Sequence, residues 1–181
     1  MRIGTGYDVH RLVEDRALIM GCGKTTVGKI LAKKTGKEFI DMDKYIEQKE
    51  NMTISQIFET HGEDYFRDVE HQVCKELSEK QDLIVATGGG ALTFKRNVDI
   101  IKGNASVLLI SVPVEVIAQR LKNDTTRPLL QRPDKEVAMR ELYNKRLPIY
   151  TDAATVIVNG SQHPKAVAKL IINTMNLKVI K

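Results

Sequence analysis

Gly21-Cys22-Gly23-Lys24-Thr25-Thr26 is the half of a phosphate-binding loop that touches its ligand. The full pattern, Gly-x-x-x-x-Gly-Lys-Ser/Thr, puts a first glycine at position 18, where this chain has Leu18. Successive backbone N–H groups around Gly21 and Gly23 can converge on phosphate oxygens. The helix that follows adds its positive N-terminal end. Lys24 would reach the outer phosphates, and the Thr25 hydroxyl is a hard oxygen ligand suited to Mg2+. Leu18 carries a Cβ that disfavours positive φ, so the head of the loop is expected to be looser than glycine would make it.

Three other groups carry chemistry. Asp41 and Asp43 close a short apolar run and, read as positions i and i+2 of a strand, share one face. Beside a nucleotide, one carboxylate would hold Mg2+ through water and the other would accept a proton from a hydroxyl nucleophile. Gly88-Gly89-Gly90 follows a buried strand and permits close backbone approach to a ligand. Arg67 has Glu70 at i+3, either a surface pair or a planar fork aimed at a substrate carboxylate. Arg120, Arg127, Arg132 and Arg146 gather around a proline-bearing loop, as a lid over phosphates requires.

The elements that must position these groups alternate between strand and helix. Val27, Ile30 and Leu31 give one face to a helix from Thr25 to Lys34, with Gly36 as its C-terminal cap. Phe39-Ile40 is a short strand ending in Asp41-Met42-Asp43. Thr53 and Gln56 form a capping box, and after Gly62 a longer helix carries Phe66, Val69, Val73 and Leu77 in one stripe. Strands are expected at Ala17 to Met20, Leu83 to Thr87, Ser106 to Val112 and Thr155 to Val158. Helices are expected at Val114 to Leu121, after a loop over 123–134 to about Leu147, and from Pro164 to Met175. Unbroken apolar strands alternating with helices argue for a parallel sheet covered on both faces. Ligands of such folds bind beyond the carboxyl ends of the strands, where the loop, the aspartates and the glycine triplet all fall.

Bulk properties narrow the class. A chain of 181 residues is one domain with a sizeable core. The net charge of +5 suits anionic small molecules, but the basic residues are scattered and no aromatic platform accompanies them, so nucleic acid is not expected as a partner. No apolar run is long enough to span a membrane. Cys22 and Cys74 have no metal or redox spacing and read as reduced thiols of a cytoplasmic protein.

Taken in order, Gly-Cys-Gly-Lys-Thr-Thr, Asp41-Met42-Asp43, Gly62-Glu63-x-x-Phe66-Arg67-x-x-Glu70, Gly88-Gly89-Gly90, Arg127-Pro128-Leu129-Leu130 and Arg146-x-Pro148-x-Tyr150 resemble shikimate kinase. The likeness runs from about Met20 to the C-terminal helix. It implies a three-layer α/β/α P-loop kinase fold, similar to nucleoside monophosphate kinases, with a five-stranded parallel sheet and a lid at about 123–134. It implies ATP-dependent phosphorylation of the 3-hydroxyl of shikimate by a monomer. By resemblance, Gly21, Cys22, Gly23, Lys24, Thr25 and Thr26 would hold phosphates, with Thr25 and Asp41 near Mg2+. Asp43 would be the base, and Arg67, Arg146 and the glycine triplet would bind shikimate. Arg127 would close onto the phosphates, while Arg120 and the segment reaching Pro164 would flank the adenine.

Residues 1–20 stand apart from this pattern. They resemble the N-terminus of methylerythritol cyclodiphosphate synthase, which gives the chain a chimeric look. In that family Asp8 and His10 would be metal ligands, but the later histidine and the His-Ser-Asp segment do not follow here, so no complete metal site is expected. Two further readings follow from this N-terminus. One is a nucleotide- or shikimate-binding domain whose altered first strand impairs catalysis; the other, weaker, is a cyclodiphosphate synthase.

Overall fold

The computed structural model describes residues 16–21, 23–120 and 134–180. In chain order the elements are β1 (Arg16–Gly21), α1 (Lys24–Thr35), β2 (Glu38–Asp41), α2 (Met42–Glu50), α3 (Ile54–Glu79) and β3 (Leu83–Ala86). A single 3-10 turn (Ala91–Thr93), α4 (Lys95–Asn104), β4 (Ser106–Ser111), α5 (Val114–Arg120), α6 (Lys135–Ala153), β5 (Val156–Asn159) and α7 (Pro164–Thr174) complete the described chain. The strands form one parallel sheet in the order β2-β3-β1-β4-β5.

Alternation along the central strands divides the core into two layers. Leu83 and Val85 of β3, with Val107 and Leu109 of β4, pack on one side against Ile46, Ile57, Phe66, Val73 and Ile101. Ile84, Leu108 and Ile110 point the other way, onto Val27 and Leu31 of α1 and Val167 and Ile171 of α7. Period-two strands buried on both faces are what a parallel sheet between helical layers requires. Each fully buried Leu or Ile contributes about 1.5–3 kcal/mol.

β1 lies at the middle of the sheet, and its pairing begins one residue earlier than the apolar run suggested, with Arg16 opposite Leu83. Leu18 pairs within the strand, opposite Val85 and Val107. The positive φ angles of the loop fall instead on Gly21 (φ 100) and Gly23 (φ 81). The backbone turn that Leu18 was expected to hinder therefore occurs three residues later.

Three other expectations change. Asp41 and Asp43 do not share a strand, because β2 stops at Asp41, which caps α2, and Asp43 lies in that helix's first turn. Helices α2 and α4 were not anticipated; each buries only two side chains, Met42 and Ile46 in α2 and Asn97 and Ile101 in α4, too few to print a period. Helix α6 continues past Leu147 through Pro148 to Ala153, although proline removes one backbone donor. The expected break near Gly62 is present at φ 83, ψ 177, inside the long α3 segment. Cys22, Asp8, His10, Arg127, Arg132 and the proposed lid, apart from Asp134, lie outside the described residues.

Candidate active site

Gly21 makes the loop possible. A Cβ there would stand 2.2 Å from the Ile110 carbonyl oxygen, so only glycine lets β1 turn this close to β4. Gly23 takes the N-cap position of α1 in the left-handed region, and Lys24, Thr25 and Thr26 form its first turn. The helix opens with no acidic residue in that turn, which leaves its positive end unneutralised. Gly21, Gly23, Lys24, Thr25 and Thr26 line a cavity of about 390 Å³ together with Gly88, Gly89, Arg146 and Tyr150.

Across the end of β3, the Thr25 hydroxyl donates to Asp41 Oδ2 at 3.0 Å. A hydroxyl that donates its proton to a carboxylate keeps its lone pairs for a hard cation such as Mg2+, and the carboxylate behind it can hold a metal-bound water. The donor set is hard oxygen on both sides, and the pair fits that cation. Asp43 turns inward from α2 beside Gly88, where a Cβ would meet Asp43 Oδ1 at 2.5 Å. Burial raises the Asp43 carboxyl above its ordinary range; Lys24 works against the rise, Asp41 and Glu47 add to it, and Arg67 opposes it. A carboxylate poised above its usual pKa beside a lysine is suited to accepting a proton.

Arg67 is held on four sides. Its Nη1 donates to Glu70 Oε2 at 3.0 Å, while Nε and Nη2 donate to Glu63 Oε1 at 3.2 and 3.0 Å. The Phe66 and Phe94 rings lie 5.1 and 4.9 Å from the guanidinium carbon. Arg96 donates to the Arg67 carbonyl and pairs with Asp68, tying α4 to α3 at this point. Glu70 is 1% exposed, inside the apolar stripe of Phe66, Val73 and Leu77. Burial raises its carboxyl pKa and Arg67 pulls it back. A buried carboxylate in an apolar stripe demands such a partner, so the reading of Arg67 and Glu70 as a held fork agrees with the geometry. Glu63 and Phe94 were not assigned from the sequence; the i+4 spacing from Glu63 to Arg67 was the available signal for the first.

Gly88, Gly89 and Gly90 lie against Asp43, Arg146 and Arg67 in that order. Arg146 and Tyr150 project from α6, and the Tyr150 hydroxyl donates to the Gly89 carbonyl. At the end of α5, Arg120 Nη2 donates to the carbonyls of Gly160 and Ser161 at 3.1 and 2.9 Å. Pro164 begins α7, where His163 caps the helix. The four arginines expected around one loop therefore serve different places, insofar as they are described: Arg120 fixes the 160–161 backbone, and Arg146 faces the glycine turn.

Among the described residues, no helix is long and apolar enough to cross a membrane, and no group of three or more His, Cys, Asp or Glu is arranged for a metal ion.

Comparison with known proteins gives matches along most of the chain. The family model for shikimate kinase matches residues 20–176. A shikimate kinase of Thermodesulfovibrio yellowstonii is 40% identical over 153 residues, 84% of this chain and 88% of the relative. One from Clostridium botulinum is 42% identical over 157 residues, 84% of this chain and 93% of the relative. The solved shikimate kinase of Acinetobacter baumannii in complex with shikimate superposes with a TM-score of 0.82 at 38% identity, covering 92% of this chain and 94% of that one. Since the family match and the relatives each span most of the chain, it belongs to the shikimate kinase family.

Proposed function

We propose that this chain transfers the terminal phosphoryl group of ATP to the 3-hydroxyl of shikimate. The observation that carries the reading is the position of Asp43. It stands between a phosphate-type loop bearing Lys24 and an arginine, Arg67, braced by two carboxylates. A hydroxyl acceptor with a carboxylate elsewhere on its ring fits between them. Lys24 and the helix end neutralise phosphate charge, Asp43 takes the hydroxyl proton, and Arg67 and Arg146 meet the substrate carboxylate. Thr25 would ligate Mg2+ directly, and Asp41 would hold it through water. When bound, that ion supplies charge neutralisation of the phosphates. Arg120, the 160–161 backbone and Pro164 would flank the adenine.

Action as a monomer is what the family resemblance implies. Dependence on ATP supports a cytoplasmic setting. Arg127 and the lid at 123–134 keep the roles that the family resemblance implies, within a kinase domain over residues 20–181.

The test is ADP release coupled to NADH oxidation, with shikimate, ATP and Mg2+, beside a thermal melt. Shikimate-dependent turnover that Lys24→Met removes without lowering the melting temperature is the expected result. A folded protein that releases no ADP in response to shikimate would overturn the proposal.

A further inference from the structure

Three consecutive glycines each back onto a different side chain of the substrate site. A Cβ on Gly88 would stand 2.5 Å from Asp43 Oδ1, one on Gly90 2.8 Å from Arg67 Nη1, and one on Gly89 3.6 Å from Arg146 Nη1. One short stretch of backbone therefore sets the spacing of the base and both guanidinium groups. Asp43 and Arg67 belong to α2 and α3, which pack on the turn's own side of the sheet. Arg146 arrives on α6, which joins the same core layer through Leu147, Tyr150 and Ala153, an apolar contact that does not by itself fix the angle of a guanidinium.

Tyr150 adds a directional contact to that packing. It lies one helical turn after Arg146, so the two side chains are neighbours on one face of α6. Its hydroxyl donates to the Gly89 carbonyl. Burial raises the phenol's pKa, the Arg146 charge opposes the rise and the Glu70 charge adds to it. At neutral pH the phenol keeps its proton and remains a donor.

We propose that Tyr150 is a positioning residue for the phosphoryl transfer: by tying the Gly89 carbonyl to α6, it sets Arg146 against Arg67 so that both converge on one substrate carboxylate. The proposal rests on the reading above that Arg146 binds that carboxylate. Charge-assisted hydrogen bonds weaken steeply as angle and distance depart from their optimum. A small shift of α6 against the glycine turn should therefore be felt at the carboxylate and not at the phosphates.

The experiment is steady-state kinetics of the full chain carrying Tyr150→Phe, Arg146→Lys, or both, with each substrate varied while the other saturates. Tyr150→Phe keeps the ring and its packing and removes one hydroxyl. Its KM for shikimate should rise about fivefold to tenfold, the range that an alignment loss of about one decade produces. KM for ATP and kcat should stay within about twofold of wild type, since neither depends on the carboxylate contact. The double variant should lose less than the product of the single effects, because both act on one contact. An unchanged shikimate KM in Tyr150→Phe, beside a raised one in Arg146→Lys, overturns this proposal and leaves the substrate reading standing. An unchanged shikimate KM in Arg146→Lys removes the carboxylate role of Arg146 itself. A Tyr150→Phe variant whose two KM values rise together with a lowered melting temperature shows a merely structural tyrosine, and also overturns the proposal.

Discussion

Asp43→Asn separates catalysis from stability at a single position. The substitution keeps the side chain's shape, which matters because Asp43 Oδ1 lies against Gly88 with no room for a larger group. It removes the charge and the capacity to accept a proton. Loss of a positioned general base costs about 10²–10⁴ in rate. At 1.36 kcal/mol per decade, that is about 2.7–5.4 kcal/mol of transition-state stabilisation. The fold should respond in the opposite direction. Burial raises the Asp43 pKa above the ordinary aspartate range, with Lys24 only partly offsetting it. The native chain then keeps this proton to higher pH than the unfolded chain does. Stability falls as pH climbs from the unfolded pKa through the raised folded one, and above that window the wild type carries the whole penalty. Asparagine carries none of it.

Melts of wild type and Asp43→Asn at pH 7 and at pH 3 to 4 test the linkage, and the coupled assay gives the rate. The variant should melt higher than wild type at pH 7, with the gap closing in acid, and its kcat should fall by at least about 100-fold. The wild-type kcat/KM for shikimate should show an acidic limb lying above the ordinary carboxylate range, absent from the variant's residual rate. A variant that retains a third of wild-type kcat refutes the base assignment. A variant that melts lower than wild type at pH 7 refutes the account of Asp43 as a charge held at a cost.

Three more substitutions probe the frame around that carboxylate. Arg67→Lys should weaken shikimate binding by about 2 kcal/mol, roughly 30-fold, because an ammonium cannot satisfy Glu63 and Glu70 and still present a planar edge to a third carboxylate; calorimetric titration giving wild-type affinity would show the arginine to be structural. Phe94→Leu removes one of the two rings over the Arg67 guanidinium and should raise the shikimate KM about threefold, matching a cation–π contact of about 0.5–1 kcal/mol. An unchanged KM there would mean that Phe66 and the two glutamates suffice. Gly21→Ala should destabilise the fold by at least about 2 kcal/mol, since its Cβ would collide with the Ile110 carbonyl at a positive φ; a melting temperature equal to wild type would refute the tight β1–β4 crossing.

Much of the frame was legible because local chemistry encodes it. The Thr53–Gln56 capping box, the αL caps at Gly23 and Gly36 and the break at Gly62 stand where their residue types require. Glu70 could be paired with Arg67 because a carboxylate inside an apolar helical stripe needs a cation one turn away. The readings that changed depended on where an element stops. Asp41 and Asp43 look like strand positions, since Phe39 and Ile40 precede them. Only the packing of Met42 and Ile46 under α3 makes the helix begin at position 42. Pro148 looks like a terminator, yet the α6 backbone continues to Ala153, with Tyr150 anchored on Gly89. Phe94 sits 27 residues from Arg67 and offers no spacing to connect them; α4 packing beside α3 brings it over the guanidinium.

Strand order explains why three motifs so distant in sequence act as one site. β1 and β2 are not neighbours: β3 lies between them, so their axes are about 9.5 Å apart, two interstrand spacings. The Thr25 hydroxyl nevertheless reaches the Asp41 carboxylate at 3.0 Å. That crossing is possible because β3 stops at Ala86 and is followed by Thr87 and three glycines, so the chain passing beneath the bridge bears no bulky side chain. The same glycines then face Asp43, Arg146 and Arg67. A Cβ at Gly88 would push Asp43 away from the bridge, and one at Gly90 would unseat Arg67 from between its glutamates. The triplet thus sets the spacing of these three side chains. Its lack of side chains lets the loop that leaves β1 close against α2 and α3.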